Sequence, residues 1–148
     1  HRMRIDHIPS IGSVMTPFPY VVQVDESLLA ARALMVQHGV RHLPVKRDTT
    51  LVDVLTDRDL KRALDPSLGL PPMEEMFVGD VFVADAYVID IEEPLDRVLN
   101  ALSVQHIGSA LVTKNDQLVG IFTLSDAARV FAEHLRALFP PRAGHAVA

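Results

Sequence analysis

Two short stretches carry the same pairing of a hydroxyl with a carboxylate. Thr56-Asp57-Arg58-Asp59 and Thr123-Leu124-Ser125-Asp126 are both Thr-x-x-Asp, and each follows an apolar run and opens a helical one. Two kinds of chemistry use that spacing. In the first, a threonine at a helix N-cap accepts a hydrogen bond from the backbone three residues on, and the acid answers it, which is a capping box. In the second, the mouth of the helix offers free N–H groups and a partial positive charge to a phosphate. The carboxylate beside it then accepts two hydrogen bonds from a ribose diol. The two readings are compatible, because one carboxylate oxygen can cap while the other binds.

A second candidate is Gly39-Val40-Arg41-His42-Leu43-Pro44-Val45. Arg41 offers a bidentate fork to an anion, and His42 adds a donor that strengthens on protonation. The plain alternative is a solvated strand end. A third is Met15-Thr16-Pro17-Phe18-Pro19-Tyr20, held extended by its prolines with its carbonyls free. It is either a connecting loop or a backbone edge on which a flat base can stack. Groups that break bonds are scarce. Cysteine is absent, which excludes thiolate nucleophiles, thiolate metal sites and disulfides. There is no H-E-x-x-H, no Gly-x-Ser-x-Gly, no P-loop and no G-x-G-x-x-G. The chain is therefore expected to bind and not to catalyse, with no catalytic residue, no metal and no catalytic cofactor.

The elements that must position these groups come in duplicate. At a shift of 67 residues, 11–64 falls on 78–131 without a gap. Gly12 meets Gly79, Tyr20 meets Tyr87, Leu28 meets Leu95, Val45 meets Val112, Thr56 meets Thr123, Asp59 meets Asp126 and Arg62 meets Arg129. A period that long with only two copies points to a duplicated supersecondary unit and not to a solenoid. Each copy reads β-α-β-β-α. Tyr20–Val24 has strand character. Leu28, Ala31, Leu34 and Met35 recur at helical spacing, and Gly39 stands where a C′ glycine would. Leu43–Val45 and Leu51–Leu55 are strands about a polar turn, and a second helix runs from Asp57 to about Leu64. The linker from Asp65 to Pro72 carries three prolines and a glycine and is expected to be non-helical. The last helix is expected to run to Phe139, where Pro140-Pro141 stops it, with a loose tail after Arg142.

Composition sets the outer bounds. With 148 residues, 49% apolar and 22% charged, the chain fits one ordinary soluble domain or two small ones. Fourteen basic against 19 acidic residues give −5, which argues against non-specific nucleic-acid binding. The longest run free of Asp, Glu, Lys and Arg, His7 to Val24, is broken by Pro9, Pro17 and Pro19, so no membrane helix is expected. No secretory leader is legible, and the expected compartment is the cytoplasm.

On these residues the chain resembles a tandem pair of cystathionine β-synthase (CBS) domains, a Bateman module. The resemblance rests on Val14-Met15-Thr16-Pro17, on Gly39 to Val45, on Leu51 to Leu60 and on Leu118 to Asp126, and covers about residues 8–135. It implies an α/β (α+β) fold of two β-α-β-β-α repeats related by a pseudo-two-fold axis, packed through their sheets with two clefts between them. The repeats would span 8–65 and 75–135, with a linker at 66–74 and a helix end and tail at 136–148. Such clefts bind adenine nucleotides in the family, and S-adenosylmethionine in some members. By that likeness Asp126 holds ribose hydroxyls and Thr123 the sugar–phosphate junction, with Gly120 completing the pattern, and Thr56 and Asp59 do the same in the other cleft. Arg41, His42, Arg58 and, by position, Ser125 face phosphates. Thr16, Tyr20, Val21 and Val22, with partners Val83, Tyr87, Val88 and Ile89, form the adenine edge. Two departures make the clefts unequal: Asp53 replaces the pattern's glycine in copy one, and copy two lacks the Arg-His pair. The better candidate is the cleft that joins Thr123 and Asp126 to the cations of copy one. The implied function is a regulatory, energy-sensing module for AMP, ADP or ATP, which forms a homodimer and acts on a regulated protein partner, with no nucleic acid or membrane involved. The alternatives are a sensor of S-adenosylmethionine and a ligand-free homodimerisation scaffold.

Overall fold

A computed structural model describes residues 6–81 and 86–141. Val83, and the tail expected after Arg142, lie outside the described residues. The alternating strand-like and helical runs become β1 (Thr16–Pro17), β2 (Val22–Gln23), α1 (Leu28–His38), β3 (His42–Arg47), β4 (Thr50–Thr56), α2 (Asp57–Ala63), β5 (Val88–Asp90), α3 (Leu95–Gln105), β6 (Ser109–Lys114), β7 (Gln117–Thr123) and α4 (Leu124–Leu138). The order β-α-β-β-α occurs twice, in a mixed α/β fold with two sheets. None of the described helices is long and apolar enough to cross a membrane.

Local chemistry explains most of the boundaries. The Ser27 hydroxyl accepts from Ala30 N at 3.0 Å and starts α1. Gly39, at φ 63°, ends it in the left-handed region that glycine enters without a Cβ penalty. The first strand shrinks to Val22–Gln23, since Pro19 has no N–H to pair and only these residues face Val45 and Lys46 of β3. The hairpin strands are longer than the apolar runs, because polar Lys46, Arg47 and Thr50 still pair at its exposed end. The linker is not wholly irregular. Pro66–Leu68 form a 3₁₀ turn, capped by the Asp65 carboxylate, which accepts from Ser67 N at 2.9 Å and from the Ser67 hydroxyl at 2.8 Å.

The described chain divides into two compact units. One, residues 18–87, holds a sheet in the order β2-β3-β4, parallel at β2–β3 and antiparallel at β3–β4. Its core is a cluster that includes Val22, Leu28, Ala31, Met35, Leu43, Leu55, Leu60 and Met76. The other, residues 6–17 with 88–141, holds a sheet in the order β1-β7-β6-β5. Leu95, Val98, Leu111, Val112, Phe122 and Val130 are buried there.

Each unit is the body of one copy closed by the leading segment of the other. Gly12 N donates to Ile91 O at 3.0 Å, and Gly79 N donates to Val24 O at 2.8 Å. These two bonds are the same contact seen at the repeat offset. Consequently Thr16 belongs with β7 and α4, and β1 pairs antiparallel with β7 at Thr16↔Ile121 and Pro17↔Gly120.

Candidate functional site

Both Thr-x-x-Asp motifs lie where a strand passes into a helix, and both form the capping box. At α2, Thr56 N donates to Asp59 Oδ2 at 2.9 Å, Asp59 N donates to Thr56 Oγ1 at 3.2 Å, and that hydroxyl donates to Asp59 Oδ2 at 3.0 Å. At α4, Thr123 N donates to Asp126 Oδ2 at 2.8 Å, Asp126 N to Thr123 Oγ1 at 3.3 Å, and Thr123 Oγ1 to Asp126 Oδ2 at 3.2 Å. In both copies one carboxylate oxygen is committed to the cap. The other oxygen, Oδ1, is where the copies part.

In the unit of residues 18–87, Asp59 is only 7% exposed, and its Oδ1 has no hydrogen-bond partner among the described residues. His42 pairs with Thr56 across the β3–β4 ladder, which brings Arg41 and His42 to the strand end beside the α2 mouth. Asp57 N donates to Arg41 O at 2.9 Å and ties the helix start to that strand. Burial pushes the His42 imidazole below its ordinary value. The charges of Asp57 and Asp59 pull it back up, and those of Arg41 and Arg58 press it down with the burial. The cationic and acidic groups of this unit thus share one electrostatic neighbourhood. Asp53 accepts from Val54 N at 2.8 Å. Val22 is fully buried, so it can offer a ligand only backbone, and β2 is an edge strand that leaves that backbone reachable. Tyr20 stacks on His38 with ring centroids 3.8 Å apart, a contact that the sequence reading missed. His38 and His42 are four residues apart, a helical spacing, but Gly39 ends α1 between them and the two fall on different elements. Val21 and Tyr87 belong to this unit and are half-buried.

In the other unit, the Thr16 hydroxyl donates to Asp126 Oδ1 at 2.9 Å. Arg129 Nη2 lies 3.5 Å from the same oxygen and also donates to the Val14 carbonyl at 3.2 Å. Arg129 Nη1 is 3.5 Å from a Glu133 carboxylate oxygen. Arg129 was legible only as a repeat partner of Arg62 and not as a site residue. Gly120 is in the middle of β7, and a Cβ there would fall on the Met15 sulfur. The glycine therefore makes room for the residue that precedes Thr16. Ser125 is exposed in the first turn of α4, and Val88 is exposed on β5; no hydrogen bond or ion pair ties either side chain to Asp126. The guanidinium of this site is Arg129, while Arg41, His42 and Arg58 lie in the unit of Asp59.

Known proteins share this fold. The CBS domain family matches residues 11–66 and again 78–133. Hypoxic response protein 1 of Mycobacterium tuberculosis is 30% identical over 115 residues, which is 74% of this chain and 76% of that protein. A crystal structure of Hypoxic Response Protein I with two coordinated zinc ions superposes with a TM-score of 0.68 at 30% identity, over 81% of this chain and 97% of the other. Among the described residues here, no group of three or more His, Cys, Asp or Glu is placed to hold a metal. The crystal structure of CBSX2 in complex with AMP superposes at a TM-score of 0.72 and 27% identity, over 86% of this chain and 99% of that one. A conserved protein of Pyrococcus horikoshii does so at 0.74 and 26% identity, over 96% of this chain and 100% of its own.

Proposed function

The chain belongs to the CBS domain family, and on that footing we propose that it is a regulatory module that binds an adenine nucleotide (AMP, ADP or ATP) through Asp59 and Asp126. The observation that carries the reading is the Oδ1 atom of Asp59. It belongs to a residue nearly out of solvent, its sister oxygen is spent on a helix cap, and no described residue donates to it. That oxygen is not among the buried unpaired atoms of the described residues, so it keeps contact with solvent and is open to an incoming donor. A sugar diol supplies the missing donors, and Arg41, His42 and Arg58 suit the phosphates that follow it. The AMP complex of CBSX2, a relative in fold, supports the choice of ligand. Tyr20, Val21, Val22 and Tyr87 would serve the base in this unit, and Val88 in the other, where the Thr16 hydroxyl is engaged by Asp126. Binding would favour one arrangement of the protein over another and so reach a partner, without turnover of the nucleotide.

Titration calorimetry with AMP, ADP, ATP and S-adenosylmethionine tests this on wild type, Asp59→Asn and Asp126→Ala. Hydrogen bonds to a charged group contribute about 1.5–3 kcal/mol, so each affected step should weaken by roughly 10- to 150-fold. Affinity unchanged in both variants would overturn the assignment, and a response to S-adenosylmethionine alone would move it to the other adenosine ligand.

One observation favours a second reading, a homodimerisation scaffold. The face of α4 exposes Phe131 at 61% and Leu138 at 56%, followed by Phe139. Under that reading the two carboxylates only cap helices. A thermal-shift titration separates the two: a binder gains stability once ligand exceeds its Kd, and a bare scaffold stays flat.

A further inference from the structure

We propose that Thr16 and Arg129 hold Asp126 closed and set the affinity of its site below that of Asp59. The inference rests on the reading of the two aspartates as ribose-binding carboxylates.

The acceptor arithmetic is different at the two. A carboxylate has about four lone-pair positions. At Asp126, Oδ2 takes the Thr123 amide and hydroxyl, and Oδ1 takes the Thr16 hydroxyl at 2.9 Å and faces Arg129 at 3.5 Å. All four are spoken for within the protein. A diol can reach Oδ1 only by displacing both Thr16 and Arg129. At Asp59, Oδ2 carries the same two bonds and Oδ1 carries none among the described residues. A ligand there displaces no described donor.

The difference is written in the repeat. At the offset of 67, Thr16 corresponds to Val83, a residue type with no hydroxyl. Arg129 corresponds to Arg62, whose side chain makes no hydrogen bond or ion pair with any described residue. What anchors Arg129 explains why. The Glu133 carboxylate holds its Nη1 at 3.5 Å and the Val14 carbonyl takes its Nη2 at 3.2 Å. Glu133 corresponds to Pro66, which has no acid to offer Arg62. Thr16 is likewise fixed, because β1 pairs with β7 at Ile121. The donors over Asp126 are thus held by the β1–β7 pairing and by an ion pair to Glu133, for which copy one has a proline. Nucleotide fills the Asp59 site first. It enters the Asp126 site at higher concentration, where it must move Thr16 off, so that the segment 11–17 registers the second occupancy.

The test uses AMP on the intact chain, with calorimetry of wild type, Thr16→Val, Arg129→Gln and Asp59→Asn, and with thermal midpoints of ligand-free Thr16→Val, Asp126→Ala and their double. The expected result is two steps in wild type, loss of the tighter one in Asp59→Asn, and about a tenfold gain in the weaker one in Thr16→Val and Arg129→Gln. The midpoints should be non-additive, because the contact is lost once in each single variant. A weaker or unchanged second step overturns the proposal, since Thr16 is then a ligand contact or a bystander. Additive midpoints overturn it by denying the contact itself. Non-additive midpoints with no AMP bound by any variant overturn it as well, and locate the failure in the ribose reading and not in the contact.

Discussion

Gly120→Ala should destabilise the chain through a single collision. An added Cβ would fall on the Met15 sulfur, with Met15 Cγ at 3.0 Å and Cε at 3.1 Å. The backbone cannot yield, because Gly120 is paired on one side with Pro17 of β1 and on the other with Val112 of β6. Met15 must therefore move. Overpacking of this kind costs about 1–3 kcal/mol. A chain of this length loses about 2–4 °C of Tm for each kcal/mol, which gives a fall of about 2–12 °C. Differential scanning calorimetry measures it. The decisive comparison is Met15→Ala with and without Gly120→Ala. With the thioether gone, the new methyl occupies vacated space, so the double variant should be no less stable than Met15→Ala alone. A neutral Gly120→Ala, or a double variant whose loss equals the sum of the two singles, would refute the account of this glycine as a seat for Met15.

His42 and Phe131 provide two further tests. Because burial lowers the His42 pKa in the folded state, the unfolded chain binds the proton more tightly. Stability that is complete at neutral pH is then lost as pH falls through the ordinary imidazole value of about 6.5. His42→Gln should flatten the slope of Tm between about pH 5 and 7, and an unchanged slope would assign the loss to other groups. If the exposed face of α4 is a self-association surface, Phe131→Glu should turn a dimer into a monomer in sedimentation experiments, and a monomeric wild type would end that reading.

Much of the architecture could be read in the chain because its signals are local. Ser27 and Gly39 frame α1 with side chains and backbone that act within a turn of themselves. Each threonine and aspartate of the capping boxes is three residues from its partner. The polar ends of the hairpins, the 3₁₀ turn at Pro66 and the two-residue strand β1 were less legible, because backbone pairing there owes little to side-chain type. The closing of each body by the other copy's leading segment could not be read at all. A repeat offset is the same whether Gly12 closes its own body or the other one, and only the bonds from Gly12 to Ile91 and from Gly79 to Val24 decide it. The same exchange puts Thr16 on Asp126, across 110 residues of sequence, and no spacing rule reaches that far.

The capping boxes also explain how two identical motifs can come to act differently without losing their shape. In each copy the cap uses only Oδ2, so the position of the carboxylate is fixed by a structural duty that does not depend on ligand. Oδ1 is left to its neighbours. Around Asp126 those neighbours are a threonine on an incoming strand and an arginine anchored by Glu133, while Asp59 acts on the half-buried His42. Replacing either set changes what the free oxygen meets while the helix start stays in place. The threonine and the aspartate can therefore stay identical under duplication while what meets Oδ1 differs, since the sequence has a threonine at 16 where the other copy has a valine, and a glutamate at 133 where the other copy has a proline.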